Sequence, residues 1–188
     1  MIEFRIHGRG GQGNVAAAYL LAAAAFESGR MCQAFPSFGA ERRGAPVTAF
    51  VRIDDRMIDL RAQVQTPDYL IVQDDKLLHD GGITNGLKPG GAMIVNSILD
   101  ADEMSRQFGC RVFCIPASKM ALETIGRPIP NTALLASFLT LLPLFPLDDF
   151  KAALKGRFSG TTLEKNIELA DMAAEYTPKS LWQEVENA

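Results

Sequence analysis

The sequence predicts an α/β chain: a three-layer, Rossmann-like domain with a mostly parallel, partly mixed sheet and a helical C-terminal third. Three observations predict it. Short runs rich in β-branched and aromatic residues alternate with helical runs through the first two thirds of the 188 residues, the pattern of a sheet covered on both faces. The glycine-rich segment His7-Gly8-Arg9-Gly10-Gly11-Gln12-Gly13 opens directly out of the strand-like Ile2-Glu3-Phe4-Arg5-Ile6. It runs straight into Val15-Ala-Ala-Ala-Tyr-Leu-Leu-Ala-Ala-Ala-Ala-Phe26, a strong helix former. From Thr132 onward the chain reads as helix after helix.

Taken in order, the predicted strands are residues 3–6, 32–34, 47–53, 57–60, 69–72, 92–95 and 111–115. Helical runs at 15–28, 76–80, 100–108 and 119–125 separate most of them. Asp54-Asp55-Arg56, lying between two short strand-like runs, predicts a hairpin turn and hence an antiparallel part of the sheet. Lys88-Pro89-Gly90-Gly91 is a turn feeding a buried strand. The last third predicts helices at 132–142, 148–155 and 163–175. The first of these is apolar almost all round, so it is either a core helix or one that faces a partner. The tail 176–188 carries Trp182, an amphipathic residue suited equally to docking on a partner or to packing on its own chain.

Nothing in the composition marks a second domain, so residues 1–188 are expected to form one. A net charge of -3 argues against nucleic acid as a general partner, because phosphate backbones need clustered positive surface. No cationic, apolar leader is present, and the longest nearly uncharged run, 128–147, holds four prolines. The expectation is a cytoplasmic protein without a membrane partner. Cys32, Cys110 and Cys114 are too few for a disulfide framework and lack ferredoxin-type spacing. Cys110 and Cys114, four apart on a strand, share one face and read first as buried free thiols. His7 and His79 sit in no metal-ligand spacing and beside no evident nucleophile, so no catalytic or metal-binding residue is expected. Asp74 and Asp75 read as a helix start.

Gly8, Gly10 and Gly13 satisfy G-x-G-x-x-G. Dinucleotide sites of this type place an acid on the ribose roughly 20 residues further on, at the end of the second strand. No Asp or Glu occurs between Gly29 and Ala40, which argues against NAD or FAD. What remains is an anion-friendly turn, because exposed amides at a helix start favour negative charge, or a turn kept for close packing. A second segment, residues 36–46, sets Glu41-Arg42-Arg43 between glycines and prolines. Arginine forks suit phosphates and carboxylates. The candidate anion contacts are therefore Gly8, Gly10, Gly11, Gln12, Gly13, Arg42 and Arg43; the alternative for the loop is a solvated surface with Glu41 paired to an arginine.

These two segments also carry a family resemblance. The Gly8 to Gly13 turn with its Ala-rich helix, followed by Phe38-Gly39-Ala40-Glu41-Arg42-Arg43-Gly44-Ala45-Pro46-Val47, resembles the gamma subunit of pyruvate:ferredoxin oxidoreductase and related 2-oxoacid:acceptor oxidoreductases. The likeness continues through the strand before Pro116, the Asn131-x-x-Leu-Leu-Ala helix and Phe158-Ser-Gly-Thr-Thr-Leu-Glu-Lys-Asn166, nearly the whole chain. It implies oxidative decarboxylation of a 2-oxoacid in a hetero-oligomer. Thiamine diphosphate, 4Fe-4S clusters and coenzyme A would be held through alpha, beta and ferredoxin-like, cluster-bearing subunits, with ferredoxin or another acceptor taking the electrons. This chain would bind none of these cofactors alone; Arg42 or Arg43 would face coenzyme A or an acid on a neighbouring subunit. The rival is a stand-alone nucleotide-binding or regulatory module.

Overall fold

A computed structural model describes residues 1–37 and 44–183. Six strands form one sheet: β1 (Ile2–Arg9), β2 (Met31–Pro36), β3 (Pro46–Asp54), β4 (Tyr69–Val72), β5 (Ala92–Asn96) and β6 (Arg111–Ile115), in the order β2-β3-β1-β4-β5-β6. β1, β4, β5 and β6 pair in parallel, whereas β3 runs antiparallel to both β1 and β2. The short parallel strands β4 and β5 are apolar on both faces because both faces are covered.

The two faces differ in depth. On one lie α1 (Asn14–Glu27), α3 (Ala117–Ile125), α4 (Asn131–Leu141), α5 (Leu147–Lys155) and α6 (Gly160–Tyr176), packed around Phe4, Ile6, Val51, Ile71, Ile94 and Ile115 of the sheet. On the other lie a 3-10 helix (Asp75–Asp80) and α2 (Ala101–Phe108), over Leu70, Val72, Met93, Val95 and Val112. Cys110 and Cys114 each pack against this second cluster as free thiols, half-buried rather than fully buried as expected, and burial pushes both upward in pKa, Cys114 to about 11.

α4 is a core helix. Ten of its eleven residues are buried, and α6 covers it with the stripe Asn166, Leu169, Ala170 and Ala173. Phe138 of α4 meets Phe4 and Tyr69 edge-on, and Trp182 stacks on Tyr69 and meets Phe138 edge-on. Trp182 is 3% exposed and its backbone amide donates to Leu141, so it belongs to the chain's own core.

One expected strand is absent. Residues 57–60 are irregular, and Asp54-Asp55-Arg56 makes no hairpin. Both edges of β3 are already taken by β1 and β2, so no pairing edge remains for a following strand. The carbonyls of Leu60 and Ala62 instead accept from the buried Arg52 guanidinium. The antiparallel pairing does exist, but between β3 and the two strands that precede it.

Candidate anion site at the glycine turn

β1 extends through Arg9, and the chain then turns over Gly10-Gly11-Gln12 into α1 with Gly13 as its N-cap. Gly11 (φ 93°) and Gly13 (φ 84°) adopt left-handed backbone, which glycine takes without the Cβ clash. Gly8 is needed for space: a Cβ there would lie 2.5 Å from Oδ1 of Asn14. That asparagine, 3% exposed, crosses over Gly8 to donate to the carbonyl of Val47.

The turn is braced by its own polar groups. The Gln12 side chain accepts from the Arg9 amide at 2.6 Å and donates to Asp74 at 3.2 Å, while Arg9 pairs with the same Asp74 oxygen at 2.9 Å. The Gly10 amide donates to Ala45, and the Gly44 amide donates back to Gly10. The turn is therefore tied to the end of the 36–46 loop, at the start of β3. Arg42 and Arg43, with Glu41, lie outside the described residues.

From the inner side, Asn131 at the start of α4 donates through Nδ2 to the Gly13 carbonyl at 3.1 Å and accepts from Gln73 at 2.7 Å. Among the described residues no side chain caps α1. Its first residues, Asn14, Val15 and Ala16, line a cleft of about 400 Å3 together with Arg9, Gly11, Gly13, Tyr19 and Arg157. A helix start with uncapped amides beside two guanidinium groups is suited to phosphate or carboxylate. Of the turn residues singled out in the sequence, Gly11 and Gly13 line this cleft, whereas Gly8, Gly10 and Gln12 supply its frame.

His7 lies beside Arg5 on β1, pointing to the face opposite Ile6. Burial, reinforced by the Arg5 charge, holds its pKa down at about 4, so the ring is neutral at pH 7. Asp74 does start a helix, accepting from the Lys76 amide, but it also serves the turn through Arg9 and Gln12. Sequence reasoning missed Asn14, Gln73, Asn131 and Arg157. Asn131 alone carried a signal, a lone amide opening an otherwise apolar helix.

Two features speak against a dinucleotide site. β3 separates β1 from β2, so the end of β2 does not adjoin the turn, and that end, Phe35-Pro36-Ser37, carries no acid. Among the described residues no group of three or more His, Cys, Asp or Glu is placed to hold a metal ion, and no helix is long and apolar enough to cross a membrane.

Comparison with known proteins gives the lineage. Residues 3–176 match the family model described as pyruvate ferredoxin/flavodoxin oxidoreductase. The chain is 47% identical over 173 residues to pyruvate synthase subunit PorC of Methanocaldococcus jannaschii, covering 92% of this chain and 95% of that protein. It is 46% identical over 176 residues to the pyruvate/ketoisovalerate oxidoreductases common subunit gamma of Thermococcus kodakarensis, with the same two coverages. The crystal structure of pyruvate oxidoreductase subunit PORC of Thermotoga maritima superposes with a TM-score of 0.81 at 34% identity, covering 93% of this chain and 95% of that one. The chain thus belongs to the pyruvate ferredoxin/flavodoxin oxidoreductase family, as a gamma subunit of a 2-oxoacid oxidoreductase.

Proposed function

We propose that the chain acts as one domain within a cytoplasmic hetero-oligomer that oxidatively decarboxylates a 2-oxoacid, pyruvate being the first candidate from the names of its relatives. Thiamine diphosphate and 4Fe-4S clusters would be held by alpha, beta and cluster-bearing subunits, and ferredoxin or another acceptor would take the electrons. Coenzyme A is the natural occupant of the anion cleft on this subunit, because its phosphates match the donors there. The role of the chain is then assembly, together with guidance of coenzyme A toward the acyl group formed elsewhere.

The observation that carries this reading is the cleft itself: uncapped α1 amides, Arg9 and Arg157, with Gly44 and Ala45 bonded to the turn. That bonding brings Gly44 and Ala45, which follow Arg42 and Arg43 in the chain, to the same end of the sheet. Oriented backbone amides and guanidinium groups are the donors a pyrophosphate needs.

The test is to co-express the Arg42→Ala, Arg43→Ala double variant with the partner subunits. Intact assembly with a raised KM for coenzyme A and little change in KM for the 2-oxoacid is expected. Unchanged coenzyme A kinetics in an intact complex would remove these arginines from the reading. Micromolar NAD binding by the isolated chain would instead favour the stand-alone nucleotide module.

A further inference from the structure

We infer that Asn131 is the positioning residue of the anion turn, aiming the first free amide of α1 into the cleft. This rests on the coenzyme A reading above and names the group that sets its geometry. The Gly13 carbonyl begins α1 by accepting from the Ala17 amide at 2.9 Å. The Asn131 Nδ2 group takes a second position on the same oxygen at 3.1 Å. Because the peptide is planar and trans, fixing this carbonyl also fixes the N–H on the other side of the bond, that of Asn14. This amide is the first of the α1 donors, and Asn14, Val15 and Ala16 all line the cleft.

Asn131 has little freedom to do otherwise. The Gly13 carbonyl can only accept, which turns Nδ2 toward it, and Oδ1 then accepts from Gln73 Nε2 at 2.7 Å. Gln73 is 1% exposed, and its own main chain is held on both sides: its amide donates to His7, and its carbonyl accepts from Asn96 Nδ2. Asn96 in turn exchanges two hydrogen bonds with Ser118 at the start of α3. A line of amides thus runs from β5 through β4 and α4 to the turn, and it uses uncharged groups throughout. A carboxylate at position 131 would repel the incoming anion, and a cation would bind it too far inside.

The experiment compares variants in the assembled oxidoreductase. Asn131→Ala is expected to raise KM for coenzyme A about tenfold, the effect of one well-placed hydrogen bond, with kcat within about twofold. Gln73→Met, which frees the Asn131 amide to rotate, is expected to raise it by about threefold, and serves if the first variant does not assemble. Ser137→Ala removes two buried hydrogen bonds from the same helix, one to the Ala173 carbonyl and one from Thr177, about two turns beyond Asn131, and is expected to lower thermal stability without moving KM. Gly11→Ala reports on the turn directly. If Gly11→Ala raises KM for coenzyme A while Asn131→Ala and Gln73→Met leave it unchanged, the positioning role is wrong and the cleft reading stands. If Gly11→Ala leaves it unchanged too, the cleft is not the coenzyme A site and the inference falls with it.

Discussion

The two ends of the sheet are both polar, yet they are built on opposite principles. At the amino ends of the parallel strands, charges meet charges: Arg52, 1% exposed, is paired with Glu3 at 2.9 Å, while Lys88 holds Asp68 at 2.9 Å and approaches Glu3. The remaining Arg52 donors reach Gln33, Leu60 and Ala62, and its guanidinium lies over the Phe35 ring. At the carboxyl ends a part-exposed ion pair, Arg9 with Asp74, is set among amides: buried Asn14 and Asn131 and half-buried Asn96 donate to backbone carbonyls, and buried Gln73 donates to Asn131. A saturated ion cluster locks a fold and has nothing left to bind. Neutral amides that brace a turn while leaving helix donors uncapped keep a binding capacity in reserve.

The largest predicted effect breaks the locked end. Arg52→Met removes the nearer of the two countercharges of a nearly buried Glu3, leaving Lys88 at 3.8 Å, and releases the carbonyls of Leu60 and Ala62. A destabilisation of about 3–5 kcal/mol is expected, as for other buried pairs that lose one partner. Denaturant titration of the purified chain checks it, and a loss below about 1 kcal/mol would show that the ion cluster is not what secures this end.

Next in size is a pH effect at the other end, through His7. Its pKa is about 4 in the folded chain against an ordinary 6.5. The unfolded chain therefore takes up a proton as pH falls through 6.5, while the folded chain takes it up only near 4. Stability from this group is complete above pH 6.5 and is lost as pH falls toward 4, by about 2–3 kcal/mol at ~1.4 kcal/mol per pKa unit. Comparing His7→Gln with the parent at pH 7.5 and pH 4.5 isolates it, since the variant should lose that part of the pH slope.

Gly13→Ala and Gly11→Ala sharpen the role of the braced turn. Both place a Cβ on left-handed backbone, at about 1–2 kcal/mol each. At Gly11 the new methyl meets nothing within 4 Å, whereas at Gly13 it lies 2.9 Å from Nδ2 of Asn131. Gly13→Ala should therefore cost about 1 kcal/mol more in a thermal melt. Equal losses would mean that Asn131 yields easily and does not hold the turn.

The same contrast explains what could be read from the sequence. Six of the seven predicted strands are present, because β-branched runs between turns mark strands by local chemistry alone, as in Tyr69–Val72. The seventh, at residues 57–60, failed on a non-local fact, the occupied edges of β3. The apolar 132–142 run was legible as a helix but not as a core helix, since an all-round apolar surface has no direction until α6 covers it. In the site, the glycine turn was visible as a motif. Its braces were not, because Asp74 lies 65 residues from Arg9 and Asn131 lies 118 residues from Gly13. Spacing rules see residues a few positions apart, and this turn is made by groups brought together only by the sheet.

The smallest predicted effect on stability bears most directly on the reserve binding capacity. Asp74 holds Arg9 and accepts from Gln12, and its charge sits beside the uncapped start of α1. Asp74→Asn keeps the size and one acceptor oxygen for Arg9 and Gln12, but removes the negative charge and the second oxygen, which accepts from the Lys76 amide. Arg9 and Asp74 are 30% and 14% exposed, and a partly exposed pair of this kind contributes about 0.5–1 kcal/mol, so losing the ion pair should cost the folded chain no more than that. An incoming anion, however, competes with this carboxylate for Arg9 and is repelled by it. The variant should thus bind inorganic phosphate or coenzyme A several-fold more tightly than the parent, an effect that shrinks as salt is raised. Titration calorimetry at two ionic strengths measures it. Weaker binding by Asp74→Asn would mean that Arg9 must be held in place by Asp74 to act at all, which would move this aspartate from competitor to part of the brace.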